Sequence, residues 1–317
     1  MSVVAKSASS SVPCWCSVVL WFAGTARRPQ GSLLHYDGCW ERSLLLVQAE
    51  DVLSTEDATL GWAWVAGASE GLGLAFATVL AERGYSLVLF ARRESLLEEI
   101  GQTLAQSHGV QVATHALEMA SSDLAEVWQA LLEQHPPIIG IYNAAFAPVG
   151  EFLQRPVADL TQAVTVNAQA PLVFCHVLGR AMQTGGGGGL VLMSSLAGMQ
   201  GAPRIAAYSA TKAFNNTLGE ALWSELRAHN IRVVTCVAGA VQTPGYESTA
   251  QTSAPGTLAP REVAQRTLAA LRGKNRGALF VPGWVNRLAY FLLGRWLPRK
   301  WAIAIMARST SNLRSDD

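Results

Sequence analysis

The stretch Trp64-Val65-Ala66-Gly67-Ala68-Ser69-Glu70-Gly71-Leu72-Gly73 decides the fold: a hydrophobic run ends in a turn with three glycines, and an apolar segment of helical spacing follows. The glycines stand in the pattern G-x-x-x-G-x-G. Glycine lets a chain turn tightly and come close to a ligand, while the free N–H groups and the dipole at the helix start attract a pyrophosphate. Taken alone, the stretch also fits a purely structural strand-to-helix turn.

Outward from this turn, short apolar runs at 62–66, 86–90, 111–116, 138–142, 190–194, 231–237 and 278–281 read as strands. Most are hydrophobic without a break, as strands covered on both faces are. Between them, 72–83, 94–107, 122–134, 158–183, 206–229 and 261–272 have helical spacing. Such alternation predicts right-handed βαβ crossovers and a Rossmann-type, doubly wound α/β fold with a parallel sheet of about seven strands. The expected organisation is one domain over 61–282, an N-terminal extension over 1–60 and an amphipathic C-terminal segment over 283–317.

The 317 residues carry 24 Lys plus Arg against 23 Asp plus Glu, a net charge of +1, with half the residues apolar and 15% charged. This balance argues against general disorder and against a broad basic surface for nucleic acid. Cys14, Cys16, Cys39, Cys175 and Cys236 are too sparse for a disulfide framework and read as reduced thiols, with metal binding at Cys14 and Cys16 the lesser alternative. The histidines at 35, 108, 115, 135, 176 and 229 lack metal-ligand spacing, and no metal is expected. His108 and His229 are placed near helix C-termini. No run reaches the ~18 apolar residues of a membrane span. Residues 1–60 lack periodicity and read as a weakly ordered extension or a start assigned too far upstream; a secretory signal around 18–23 is the minor alternative.

The second strand ends in Leu87-Val88-Leu89-Phe90-Ala91-Arg92-Arg93. NAD-selective dinucleotide folds place an acidic residue near this point to bind the ribose hydroxyls. Here Ala91 is followed by two arginines, and a 2′-phosphate would pair with the Arg92 guanidinium, which favours NADP over NAD. The alternative is that both arginines are solvated charges on a loop.

Tyr208-Ser209-Ala210-Thr211-Lys212 lies in a helical segment, where a spacing of four puts phenol and ammonium on one face. A phenol of pKa ~10 is a poor proton shuttle at neutral pH unless a cation such as Lys212 favours its phenolate. Thirteen residues before Tyr208, the strand at 190–194 runs into Ser194-Ser195-Leu196-Ala197-Gly198, placing hydroxyls at the carboxyl edge of the sheet. Earlier, in Thr165-Val166-Asn167-Ala168-Gln169-Ala170-Pro171, the proline has no N–H for the carbonyl of Asn167.

Together these motifs resemble those of the short-chain dehydrogenase/reductase family over about residues 61–282. The resemblance assigns the catalytic positions to Ser195, Tyr208, Lys212 and Asn167, with the 13- and 4-residue intervals kept, and implies that the Asn167 carbonyl holds a water leading protons toward Lys212. It assigns cofactor binding to Gly67, Ser69, Gly71, Leu72, Gly73, Arg92, Glu118, Asn143, Tyr208, Lys212 and Thr243. Departures are Ala66 for a usual threonine, Tyr142-Asn143-Ala144-Ala145 for Asn-Asn-Ala-Gly, Glu118 at the acidic adenine-side position, and Ala238-Gly239 for Pro-Gly. The implied reaction is NADPH-dependent reduction of a carbonyl with Tyr208 as proton donor, Ser195 holding the carbonyl oxygen and Lys212 also binding the nicotinamide ribose. A noncatalytic NADP-binding redox sensor is the alternative. The resemblance also implies a homodimer or homotetramer built from the helices at 158–183 and 206–229.

Residues 244–260, rich in Ser, Thr, Pro and Gly, are expected to close over substrate as a mobile lid. The five glycines 185–189 read as a flexible surface connection. Residues 284–308 hold Arg287, Arg295, Arg299, Lys300 and Arg308 with no acidic residue, and Trp284, Tyr290, Trp296 and Trp301. This composition fits peripheral contact with an anionic membrane, a cover over the substrate pocket, or a subunit contact. Each points to an apolar carbonyl substrate, a bulky ketone, fatty acyl or steroid-like molecule, used in a cytoplasmic or membrane-peripheral setting.

Overall fold

The computed structural model describes residues 60–249, 254–273, 277–311 and 313. The readings on the N-terminal extension, the apolar run at 18–23 and Cys14, Cys16 and Cys39 fall outside the described residues.

Strands β1 (Leu60–Ala66), β2 (Tyr85–Ala91), β3 (Val112–Ala116), β4 (Pro137–Tyr142), β5 (Gly188–Ser195), β6 (Ile231–Ala238) and β7 (Leu279–Phe280) form one sheet. It is parallel throughout, in the order β3-β2-β1-β4-β5-β6-β7. The unbroken hydrophobic runs follow from the two layers. On one face, Ala63, Val65, Leu87, Leu89, Ile141 and Cys236 pack against helices α1 (Gly71–Glu82), α2 (Glu94–His108) and α8 (Pro260–Arg272). On the other, Trp64, Val88, Phe90, Tyr142 and Leu192 pack against α3 (Leu124–Leu131) and α5 (Ala170–Thr184), with α6 (Ala206–Glu225) alongside. Alternate residues of one strand thus enter different cores, which keeps both faces of the central strands largely apolar.

The strand order reverses between β1 and β4, so a crevice opens above their carboxyl ends, the place where such sheets bind ligands. Both β1 and β5 deliver their motifs to this edge.

Several local expectations are corrected. The segment 158–183 is not one helix: α4 (Val157–Val164) passes through a π turn, Thr165–Gln169, before α5. Pro171, which cannot donate to the preceding turn, accounts for the break. Helix α6 tightens into a 3-10 turn at Leu226–His229. Of the glycine run, Gly188 and Gly189 belong to buried β5 rather than to a surface connection. A Cβ on Gly188 would lie 2.6 Å from Met182 Sδ, and one on Gly189 2.8 Å from Leu271, so packing demands glycine there. In the lid segment, α7 spans Pro244–Thr249 and 250–253 fall outside the described residues.

Beyond β7, α9 (Trp284–Phe291), a π turn at Leu292–Trp296 and α10 (Arg299–Thr310) form the C-terminal layer. Buried Asn286 of α9 donates to Gly256 O (3.0 Å) and Pro282 O (3.1 Å), fastening the layer to the base of the lid segment. Met306 of α10 packs on a cluster with Val149, Ala197, Ala202, Ile205 and Tyr208. The outer side leaves Trp284 72% and Trp296 73% exposed. None of the described helices is long and apolar enough to cross a membrane.

Candidate active site

The glycine turn is built for close approach. Gly67 (φ 81°) and Gly71 (φ 54°) occupy left-handed backbone, and a Cβ on Gly73 would stand 1.8 Å from Gly67 O. Gly67 N and Ala68 N donate to Phe90 O at the end of β2 (2.8 and 3.1 Å), and Asn143 Nδ2 donates to Gly67 O (3.1 Å). Asn143 therefore holds the turn from the neighbouring strand. No side chain caps the start of α1 and no acidic residue lies in its first turn. Thr243 closes the opposite side, its Cγ2 within 2.9 Å of where a Gly71 Cβ would be. The uncapped N–H groups at the start of α1, beside glycines that let a ligand come close, fit the pyrophosphate of a dinucleotide.

At the end of β2, Arg92 and Glu118, both exposed, lie 3.8 Å apart. Arg93 Nη2 donates to Ser69 Oγ (3.1 Å) and to Glu70 Oε2 (2.6 Å). The sequence marks Ser69, Arg92 and Glu118 separately; the structure brings them to one edge of the crevice and adds Glu70 and Arg93. Two guanidinium groups beside the turn fit a 2′-phosphate, with two carboxylates competing for them.

At the other end stand Ser195, Tyr208 and Lys212. Strand β5 carries Ser195, whose Oγ accepts from Ala197 N (3.2 Å). Tyr208 and Lys212 share one face of α6, with Lys212 Nζ 5.4 Å from the phenol ring centre. Lys212 is only 3% exposed and donates to Met193 O (2.9 Å). Burial lowers its pKa to about 8, Cys236 opposing slightly. Burial also raises the Tyr208 pKa above the ordinary phenol value, and a hydrogen bond with Ser195 pulls it back. Loss of solvent thus dominates the phenol, while the Lys212 ammonium is held by Met193 O.

Asn167 sits in the π turn, fully buried. Its Oδ1 accepts from Phe146 N (2.8 Å), and its Nδ2 donates to Phe146 O (2.7 Å) and Thr211 Oγ1 (3.2 Å). Its carbonyl, expected to await a water, accepts from Asn215 Nδ2 (3.0 Å). Asn215 was not singled out from the sequence; only its place three residues after Lys212 on a helix pointed to the site. Buried Cys175 and Cys236 have thiols pushed up to about 12 and take no charge near neutrality. Among the described residues no group of His, Cys, Asp or Glu is arranged to hold a metal.

Comparison with known proteins agrees with this geometry. The model of the short chain dehydrogenase family matches residues 61–254. A very-long-chain 3-oxoacyl-CoA reductase of Pyrenophora tritici-repentis is 30% identical over 74% of this chain and 72% of its own length. A rat protein called inactive hydroxysteroid dehydrogenase-like protein 1 is 26% identical over 78% of this chain and 76% of its own. A solved short-chain dehydrogenase from Sphingobium yanoikuyae in complex with NADPH superposes with a TM-score of 0.64 at 26% identity, covering 81% of this chain and 98% of that one.

The chain belongs to the short chain dehydrogenase family. It is an oxidoreductase working between carbonyl and alcohol with a nicotinamide cofactor.

Proposed function

We propose that this protein is an NADPH-preferring reductase of a bulky apolar carbonyl, a long-chain 3-oxoacyl thioester fitting best. The single observation carrying the reading is the convergence of Ser195, Tyr208 and Lys212 at the carboxyl edge of the sheet. NADPH, when bound, supplies the hydride. The chain does the rest. The Ser195 hydroxyl holds the carbonyl oxygen, the Tyr208 hydroxyl donates the proton, and the Lys212 ammonium favours the phenolate left behind and binds the ribose. Burial keeps Tyr208 protonated, the state that reduction needs. Gly67, Ser69, Gly71, Leu72, Gly73, Asn143 and Thr243 line the pyrophosphate and nicotinamide side, and Arg92 receives the 2′-phosphate with Glu118 beside it.

The apolar cluster around Tyr208, closed by Met306, supports an apolar substrate. The relative named as a 3-oxoacyl-CoA reductase supports a fatty acyl one. Exposed Val164, Leu172 and Phe214 on α4, α5 and α6 support self-association into a homodimer or homotetramer. We place the protein in the cytoplasm, with Trp284, Leu288, Phe291 and Trp296 and the neighbouring arginines resting on an anionic membrane surface. The noncatalytic reading keeps one support, the name of the rat relative.

The test is NADPH oxidation by the full chain against aldehydes, steroid ketones and 3-oxoacyl thioesters of increasing length. Rates rising with acyl length are expected; no turnover on any of them defeats the reading. Sedimentation with phosphatidylserine-containing vesicles, with and without 284–317, checks the membrane contact, which fails if the truncation binds equally.

A further inference from the structure

We infer that Asn215 is a positioning residue for Lys212, holding in place the Met193 carbonyl that accepts from its ammonium. This rests on the carbonyl-reductase reading. Asn215 lies on α6 and is 1% exposed. Its Nδ2 donates to Asn167 O (3.0 Å) and reaches Met193 O (3.4 Å). Met193 O is the same carbonyl that receives Lys212 Nζ at 2.9 Å. One amide thus bolts the π turn, the end of β5 and the helix of Tyr208 and Lys212 together.

The geometry follows from Pro171. Without an N–H there, the Asn167 carbonyl lacks its helical donor, and a buried carbonyl needs one. A water would meet the need and connect the turn to Lys212. An amide from α6 supplies that donor and ties the turn to the helix of Lys212. Packing alone would not call for an amide: leucine has nearly the same shape, whereas Asn215 Oδ1 is buried with no partner among the described residues. Keeping such a group makes sense where its donors set the position of something else.

Lys212 is the titratable group so placed. The titratable groups facing it are Tyr208 on its own helix and Cys236 on β6; β5 presents the Met193 carbonyl and the π turn reaches it only through Asn215. Among the described residues no carboxylate acts on it, so a change at Asn215 reads directly on its charge.

The experiment records kcat and kcat/KM against pH, with melting temperature, for the full-length wild type, Asn215→Leu and Asn215→Asp, using NADPH and a carbonyl that the wild type reduces. Asn215→Leu is expected to lower kcat about tenfold or more and to shift the basic limb. Asn215→Asp, which adds a carboxylate near the ammonium, is expected to move that limb up by roughly one pH unit. If Asn215→Leu does not fold, Asn215→Asp decides. Variants that lose stability but keep the wild-type basic limb show a structural role only and overturn the inference, as do variants indistinguishable from wild type. A wild type that binds NADPH yet turns over no carbonyl instead defeats the reductase reading.

Discussion

The two ends of the crevice are held by opposite means. At the edge by the glycine turn, Arg92, Arg93, Glu70 and Glu118 are exposed side chains in ion pairs. At the reactive end, Asn167, Lys212 and Asn215 are buried and tied to backbone carbonyls. Exposed pairs contribute ~1 kcal/mol or less and weaken in salt, while buried groups stripped of water respond sharply to each neighbour. Under the proposed function, the first end therefore chooses between cofactors by small increments and the second sets whether a proton moves at all.

The largest expected effect lies at the buried end. With Lys212 charged only below about 8, kcat/KM is expected to fall as pH rises through that value, by about tenfold per further unit. A profile level up to pH ~10 would show that the ammonium is not required. The same shift has a stability sign. Folding depresses the amine's pKa, so its charge opposes the fold below about 8 and that penalty fades between there and 10.5, raising stability over this window. Chemical denaturation across the window, with Lys212→Met as a flat control, measures it.

Smaller effects are expected at the exposed end. Arg92→Ser should reduce the NADPH-to-NADH ratio of kcat/KM by about 10- to 30-fold, and raised salt should lower the wild-type ratio in the same direction. An unchanged ratio would leave the 2′-phosphate to another residue. The smallest change is Glu70→Gln, which frees Arg93 from its carboxylate; calorimetry should find 2′,5′-ADP bound about two- to threefold more tightly and 5′-AMP unaffected. Weaker binding of 2′,5′-ADP would mean that Glu70 supports the site rather than competing with it.

What the sequence made legible was local. The glycine turn and the Tyr208-to-Lys212 spacing each depend on one strand edge or one helix face, which periodicity identifies, while the Ser195-to-Tyr208 interval gained its meaning from the family resemblance. Partners distant in the chain were not legible, because their meeting depends on how α6 is registered against the π turn: Asn215 reaches Asn167 across 48 positions. Glu70 and Arg93 meet for a similar reason, across the β1–β2 junction. Pro171 flagged a missing donor correctly, but a proline cannot say whether water or an amide replaces it. The burial of Gly188 and Gly189 was hidden too, since a glycine run looks like a linker until Met182 and Leu271 fill the space over it.

The central claim is that the Tyr208 hydroxyl delivers the proton, and Tyr208→Phe tests it most directly. Removing one oxygen from a half-buried ring leaves the glycine turn and Arg92 untouched. The account predicts NADPH binding within about twofold of wild type by fluorescence titration, with carbonyl turnover reduced by roughly a thousandfold or more. A Phe variant that turned over substrate within about tenfold of wild type would contradict it.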